Sequence, residues 1–312
     1  MIRRWRDLPG AQLGEALVAN WARQGHDGFL LSDPAAADLE VKEAQDAESG
    51  VRFRFRWMPH REIRGNVAEL ERRGILNPDR NETRLFRDPR DPQGRHCFLC
   101  ATNVHECHPK EVLIPLQLAG RDYFAGANFA WIEPDHYTVM AAEHVDQAYS
   151  GNALAAMLEL HLRTQRRFRV LFNGNGAGAT IPWHLHYQIT TAAMPIEKLQ
   201  FGNEERYPTL VQRFTGDDDG LAAADAAAEA WLQRDLQNHS VNILIASPDD
   251  QTQIFVFPRD QRRATAPGKG LVGGFEVAGD FVMSAPNERD AFLAASAQVA
   301  RAILAAIRPQ TM

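Results

Sequence analysis

The chain has 312 residues, 45% hydrophobic and 24% charged, an ordinary globular composition with length for one large domain or two packed halves. A formal net charge of −6 lacks the basic excess of a nucleic-acid binder, so no nucleic-acid partner is expected, although local basic clusters remain able to hold a phosphate. No run of about 18 apolar residues occurs, and the charged start Met1–Asp7 has no apolar core behind it, so neither a membrane span nor a signal peptide is expected and the cytoplasm is the expected location.

Leu13, Ala16, Leu17 and Trp21 recur at helical spacing and predict a helix within residues 1–35. Val51–Trp57 alternates apolar and basic residues, which predicts a strand. Its face of Arg52, Arg54 and Arg56 reads as charge protecting an exposed sheet edge, with phosphate contact as the alternative. Residues 74–96 are rich in Pro, Asp, Asn and Arg and read as loop. Tyr123–Ile132 and Tyr137–Ala141 read as strands, and Asn152–Arg169 as a helix with Leu154, Met157, Leu158 and Leu162 on one face. The short strand Val170–Phe172 runs into the glycine-rich segment Asn173–Ala179, and His184–Thr191 alternates as another strand. Residues 221–237 predict a helix. Val241–Ala246 and Gln253–Pro258 predict paired strands around the turn 247–251, Gly274–Ser284 a strand, and Ala291–Ile307 a closing helix. Strand pairs on short turns, with helices between groups, predict an antiparallel α+β fold.

Two segments carry chemistry. On a strand, His184, His186 and Gln188 share one face, and Leu185 and Tyr187 the other. A neutral imidazole is a competent nucleophile near pH 7. The preceding glycines let backbone N–H groups approach an anion, and the Gln188 amide offers a donor to phosphate oxygens. On spacing alone a metal site or satisfied core groups is the commoner reading of the two histidines, since a bare His-x-His often arises by accident. The second segment holds the three cysteines, Cys97, Cys100 and Cys107, within eleven residues. That odd, clustered set suits a reducing compartment better than a disulfide scaffold. Cys97-Phe-Leu-Cys100 has the spacing that turns two thiolates toward one zinc ion, against the alternative of two buried free thiols. His105, Cys107 and His108 lie close enough to compete as ligands.

The stretch Phe172–Gln188, ending His-Leu-His-Tyr-Gln, resembles the active-site signature of the histidine-triad superfamily. It is similar to the branch that ends in glutamine, which holds galactose-1-phosphate uridylyltransferase, diadenosine tetraphosphate phosphorylase and the GDP-hexose phosphorylases. Met194–Lys198, Val241–Ile245, Ile254–Arg259 and Gly274–Gly279 resemble segments of the GDP-L-galactose phosphorylases, and the likeness spans roughly residues 50–307. Trp183 departs from the pattern, in which a smaller or amide residue precedes the first histidine.

The resemblance implies histidine-triad-like antiparallel sheets with flanking helices in two related halves. These would be a helical extension at residues 1–50, a catalytic half at 51–200 and a second half at 201–312. It implies His186 as nucleophile, Gln188 as the group favouring transfer over hydrolysis, and His184 as a further member of the catalytic motif. Asn173, Gly174, Gly178, Thr180, Arg80, Arg84 and Lys198 become candidate substrate contacts. Likeness of the cysteine segment to bacterial galactose-1-phosphate uridylyltransferases implies a structural zinc on Cys97, Cys100, His144 and His184. No organic cofactor is expected.

The favoured activity is phosphorolysis of a nucleoside diphosphate hexose to hexose 1-phosphate and nucleoside diphosphate, through a nucleotidyl-histidine. Hexose-1-phosphate uridylyl transfer and dinucleoside polyphosphate phosphorolysis are the alternatives. A catalytically silent, zinc-stabilised nucleotide-binding protein is the reading from another class. The expected partners are a nucleotide sugar or dinucleotide and phosphate, with pairing of two copies through sheet edges as the candidate assembly.

Overall fold

The amphipathic spacing near the start of the chain produces α1 (Gly10–His26), whose Leu13, Leu17 and Trp21 are all buried. The computed structural model describes residues 10–32, 39–78, 97, 99–217, 220–235 and 240–309. After α1 come β1 (Glu40–Gln45), β2 (Arg52–Trp57), α2 (Val67–Arg72) and α3 (Ala101–Cys107). The middle of the chain forms β3 (Ile114–Leu118), β4 (Arg121–Ala127), β5 (Tyr137–Ala141), α4 (Gly151–Arg163), β6 (Arg169–Asn173) and β7 (His186–Thr190). Then follow β8 (Gln212–Gly216), α5 (Leu221–Asp235), β9 (Ser240–Ala246), β10 (Thr252–Arg259), the small pair β11 (Thr265–Ala266) and β12 (Gly270–Leu271), α6 (Gly274–Val277), β13 (Asp280–Met283), α7 (Arg289–Leu293) and α8 (Ala297–Ala306).

Eight strands form one antiparallel sheet in the order β3-β4-β5-β7-β6-β9-β10-β8. Every residue of β9 is buried, which is why its sequence reads as an apolar run without alternation. The predicted strands at 241–246 and 253–258 are present and pair antiparallel, Ile254 opposite Ile245. One apolar core joins α1, the sheet and α8. The expected α+β architecture of antiparallel sheets with flanking helices is present. Among the described residues no helix is long and apolar enough to cross a membrane.

Three expectations change. β2 is not an edge. It lies between β1 and β13 in a second sheet, antiparallel to the first and parallel to the second. Two of its three arginines are drawn inward: Arg54 bonds Asp280 at 2.8 Å, Arg56 bonds Asp280 at 2.9 Å, and both reach Glu133, while Arg52 stays exposed. Residues 274–284 form a helical turn and then a short strand, parted at Gly279, whose φ of +91° suits glycine. The closing helix is interrupted, and Ser296 caps α8 by accepting from the Val299 N–H at 3.3 Å.

Candidate functional site

β6 ends at Asn173 and β7 begins at His186, and the glycine-rich segment spans the gap. β7 is held between β5 and β6, with Met140 opposite His186 and both Thr138 and Leu171 opposite Gln188. Strand alternation puts His186 and Gln188 on one face. Tyr187 takes the other, packed beside Tyr123 and Phe172. Past the last β6–β7 pair the backbones part, and the fully buried Gln147 bridges them. Its Oε1 accepts from the His186 N–H at 2.7 Å, and its Nε2 donates to the carbonyls of Asn173 at 2.7 Å and His186 at 2.9 Å.

The His186 ring lies 2.8 Å from the His184 carbonyl through Nδ1. A carbonyl only accepts, so Nδ1 carries the proton and Nε2 keeps its lone pair. Burial pushes the His186 pKa down to about 4, so the ring is neutral near pH 7. Asn173 Oδ1 accepts from Asn242 Nδ2 at 2.8 Å, and Asn242 Oδ1 accepts from the buried Arg259 at 2.5 Å. Arg259 also donates to the Val272 carbonyl at 3.0 Å, and burial pulls its pKa down to about 10. This chain of bonds holds the Asn173 amide against the 272–274 backbone. The glycine segment packs there too: a β-carbon on Gly178 (φ +86°) would lie 2.3 Å from the Val272 oxygen.

Two chambers meet at this point, of about 280 and 170 Å³, and share Arg61, Arg64, Gly178, Thr180 and Gln188 on their boundary. The larger is polar, with Asn173, Glu62, Asn287 and a Lys269 that already pairs with Glu288 at 3.0 Å and Glu276 at 3.6 Å. The smaller has Leu99, Val104, Phe129 and Met140 on its walls and His186 at its inner end. Arg61 donates to the Ala130 carbonyl, and burial lowers its pKa to about 9. His136 is fully buried; its Nδ1 accepts from the Ile132 N–H at 3.1 Å, which leaves the proton on the Nε2 that faces Gln188.

On the far side of His184 stands a four-donor cluster. Cys97 Sγ lies 3.3 Å from His184 Nδ1, Cys100 Sγ 3.3 Å from His144 Nδ1, and the two imidazole nitrogens 3.4 Å apart. All four ligand atoms fall within 4.8 Å of one another. The Cys97 thiol is drawn down to about 4 by its hydrogen bond with Cys100 and by His184. His184 donates from Nε2 to the Ala141 carbonyl at 2.9 Å, so its Nδ1 lone pair faces the thiols. Zinc–sulfur bonds of about 2.3 Å and zinc–nitrogen bonds of about 2.0 Å bring tetrahedral donors to roughly these separations. Two thiols and two imidazoles therefore fit a closed tetrahedral metal site. His105, Cys107 and His108 are outside this cluster; His108 bonds the Ile75 carbonyl at 3.0 Å instead.

Residues 43–191 match a family model described as a domain of unknown function, DUF4922. No curated protein matches the sequence. Among solved structures, yeast Ap4A phosphorylase Apa2 in complex with AMP aligns with a TM-score of 0.63 at 14% identity, over 99% of this chain and 97% of that one. Apa2 in complex with Ap4A aligns at 0.56 and 15% identity over the whole of both chains. The chain has the histidine-triad-like fold.

Within that fold the predicted residues fall as follows. His184, His186, Gln188, Asn173, Gly178 and Thr180 gather at the two chambers or directly behind them. Gly174 faces a separate recess beside Gln147 and Ser240. Lys198 is exposed at the end of the turn Pro195–Lys198 and borders neither chamber. Arg80 and Arg84 lie outside the described residues. Sequence reasoning missed Gln147, Arg61 and Lys269. Each is a single polar residue in an unremarkable context, and only its burial marks it.

Proposed function

We propose that the chain is a phosphorylase-type nucleotidyltransferase working through His186. The observation that carries the reading is the orientation of that ring. The His184 carbonyl holds the Nδ1 proton, so a neutral Nε2 is left in the smaller chamber, on the same strand face as the Gln188 that both chambers share. In the first step Nε2 attacks the α-phosphorus of the substrate. A P–N bond forms, and the bond from phosphorus to the leaving oxygen breaks. In the second step an oxygen of inorganic phosphate attacks the same phosphorus, the P–N bond breaks, and the pair returns to Nε2. Gln188, Asn173 and the Gly178 backbone hold the phosphate oxygens as charge develops. Arg61 and Arg64 neutralise the rest.

A dinucleoside polyphosphate is the substrate class supported by the likeness to Apa2, an Ap4A phosphorylase. A nucleoside diphosphate hexose is the second reading. The larger chamber favours it, because Glu62, Glu276 and Glu288 there offset the cations and suit sugar hydroxyls better than a polyphosphate. The cluster of Cys97, Cys100, His144 and His184 would hold zinc, and a closed site of that kind supplies rigidity behind His184. Three cysteines that form no disulfide agree with a cytoplasmic location. A phosphate-dependent activity screen over dinucleoside polyphosphates and nucleoside diphosphate sugars tests the reading. Phosphorolysis of one class, lost in His186→Ala, is the expected result. Tight nucleotide binding without turnover on any of them would leave the silent binding protein as the better account.

A further inference from the structure

The sheet face that carries His186 and Gln188 also holds a buried imidazole that the proposed chemistry does not use. β4 and β5 continue their pairing past Tyr137, where the Asn128 N–H donates to the His136 carbonyl at 2.9 Å. Strand alternation puts the His136 side chain on the face of Thr138, which stands opposite Gln188 on β7. The ring is fully buried, and its neighbour Phe275, with centroids 5.4 Å apart, walls the larger chamber. Geometry sets its protonation. A backbone N–H only donates, so the Nδ1 that accepts from Ile132 at 3.1 Å holds a lone pair. The ring is therefore neutral, with its one proton on Nε2. Among the described residues that N–H completes no other bond, and the polar side chain it faces is Gln188. Other groups nearby are engaged or unsuitable. Thr138 Oγ1 accepts from Asn128 at 3.3 Å, and Thr190 Oγ1 donates to the Pro134 carbonyl at 2.8 Å and accepts from the Ala192 N–H at 3.1 Å. The Arg61 guanidinium offers only donors.

We propose that His136 is the positioning residue for Gln188: its Nε2–H holds the amide oxygen, which leaves the amide NH2 facing the chambers to donate to a phosphate oxygen. The inference rests on the nucleotidyl-transfer reading given above. A glutamine amide is nearly symmetric in shape, but its two ends have opposite hydrogen-bonding character, so its surroundings decide which way it turns. Turned one way, Gln188 donates to the α-phosphate. Turned the other way, it sets a carbonyl oxygen against an anion and leaves the buried His136 N–H facing the amide's own N–H groups. An unpaired buried donor is costly, so the ring selects the first orientation. The amide is then aimed before the substrate arrives, which is what stabilisation of developing charge requires. Burial also keeps the His136 pKa near 3, so the same tautomer persists at neutral pH.

The two ring nitrogens can be removed separately in the full chain. His136→Asn keeps an acceptor near the Nδ1 position for the Ile132 N–H and has nothing that reaches Gln188. His136→Gln carries an amide NH2 to about the Nε2 position. Single-turnover adduct formation on His186 is followed with the dinucleoside polyphosphate or nucleoside diphosphate sugar that loads the wild type best, and AMP affinity by calorimetry. His136→Asn should slow adduct formation at least about tenfold and change AMP affinity by less than about threefold, because the charge on the phosphate develops in the transition state. His136→Gln should return the rate to within about threefold of the wild type. In a Gln188→Ala background, His136→Asn should cost less than about a further threefold, because the group it acts through is gone. A merely structural role would give the same loss in both backgrounds, and that result overturns the proposal. So does a wild-type rate in His136→Asn, or a fall in AMP affinity as large as the fall in rate. If His136→Asn does not fold, the imidazole nitrogen NMR spectrum of the wild type decides. His136 should be protonated at Nε2 alone, with a resonance that shifts in Gln188→Ala; a proton on Nδ1 or an unmoved resonance overturns the proposal. Adducts that form regardless of His136 would sustain nucleotidyl transfer and remove only the positioning role, whereas a wild type that forms none removes both.

Discussion

Replacing Gln147 with leucine should damage the site more than any other single change outside the two chambers. The side chain makes three bonds at the point where β6 and β7 separate, to the His186 N–H and to the carbonyls of His186 and Asn173. Leucine fills the volume and satisfies none of them. Each buried polar group left unpaired costs roughly 1–3 kcal/mol, and three groups sharing one partner are not additive, so the expected loss of stability is about 3–5 kcal/mol. The same change frees the backbone that aims His186, and small misplacement of a nucleophile costs about a hundredfold in rate. Urea unfolding followed by tryptophan fluorescence measures the first quantity, and single-turnover adduct formation on His186 the second. Gln147→Glu refines the test: it keeps the acceptor for the His186 N–H and loses both donors. A stability loss under about 1 kcal/mol with an unchanged adduct rate would refute the bridging role.

Four other outcomes are expected. Burial holds His60, His108, His161 and His186 down to about 4 and His136 to about 3, so the native state refuses protons that the unfolded chain takes up below pH 6.5. Glu111 and Glu133, raised to about 8 and 7, act oppositely: their stabilisation is full below the ordinary carboxylate range and is lost as pH rises through those values. Five histidines outweigh two acids, so the urea midpoint should fall as pH drops from 6.5 to 4.5, and a rise would contradict the burial assigned to these rings. Adduct formation on His186 should persist to about pH 5, whereas a midpoint near the ordinary histidine value would mean that the ring is hydrated. Metal analysis of replete protein should find near one zinc equivalent, falling sharply in Cys97→Ser; less than about half an equivalent in both would remove the metal site. Asp280→Asn leaves Arg54 and Arg56 facing Glu133 alone and should cost about 3 kcal/mol in urea unfolding, against no change if the cluster were hydrated.

The sequence exposed the centre of the fold better than its margins. β4, β5, β6, β7, β9 and β10 all lie inside the large sheet and declare themselves by apolar content. Of the strands that sequence reasoning passed over, β1, β3 and β8 are edges of the two larger sheets, and β11 and β12 are two residues each. Edge strands carry weak signals because one side faces water; β3 even contains Pro115, a residue that edges tolerate and sheet interiors do not. The Arg52–Arg54–Arg56 face was misjudged for a related reason. Its partners Glu133 and Asp280 are far away in sequence, and β13 covers the edge that local pattern left open. In the site, His184, His186, Gln188 and Asn173 were visible because they are consecutive elements of one motif. The four-donor cluster was visible in part through the spacing of Cys97 and Cys100, while the inclusion of His144 depended on resemblance. Gln147, Arg61 and Lys269 had no local signature, since their importance comes from being buried against a motif that lies elsewhere in the chain.

The most direct measurement is intact-mass spectrometry of the chain mixed with a nucleotide substrate in the absence of phosphate. The account predicts an added nucleoside monophosphate on the wild type, its discharge when phosphate is supplied, and its absence in His186→Ala. No adduct with any dinucleoside polyphosphate or nucleoside diphosphate sugar, or an adduct that survives His186→Ala, would contradict it.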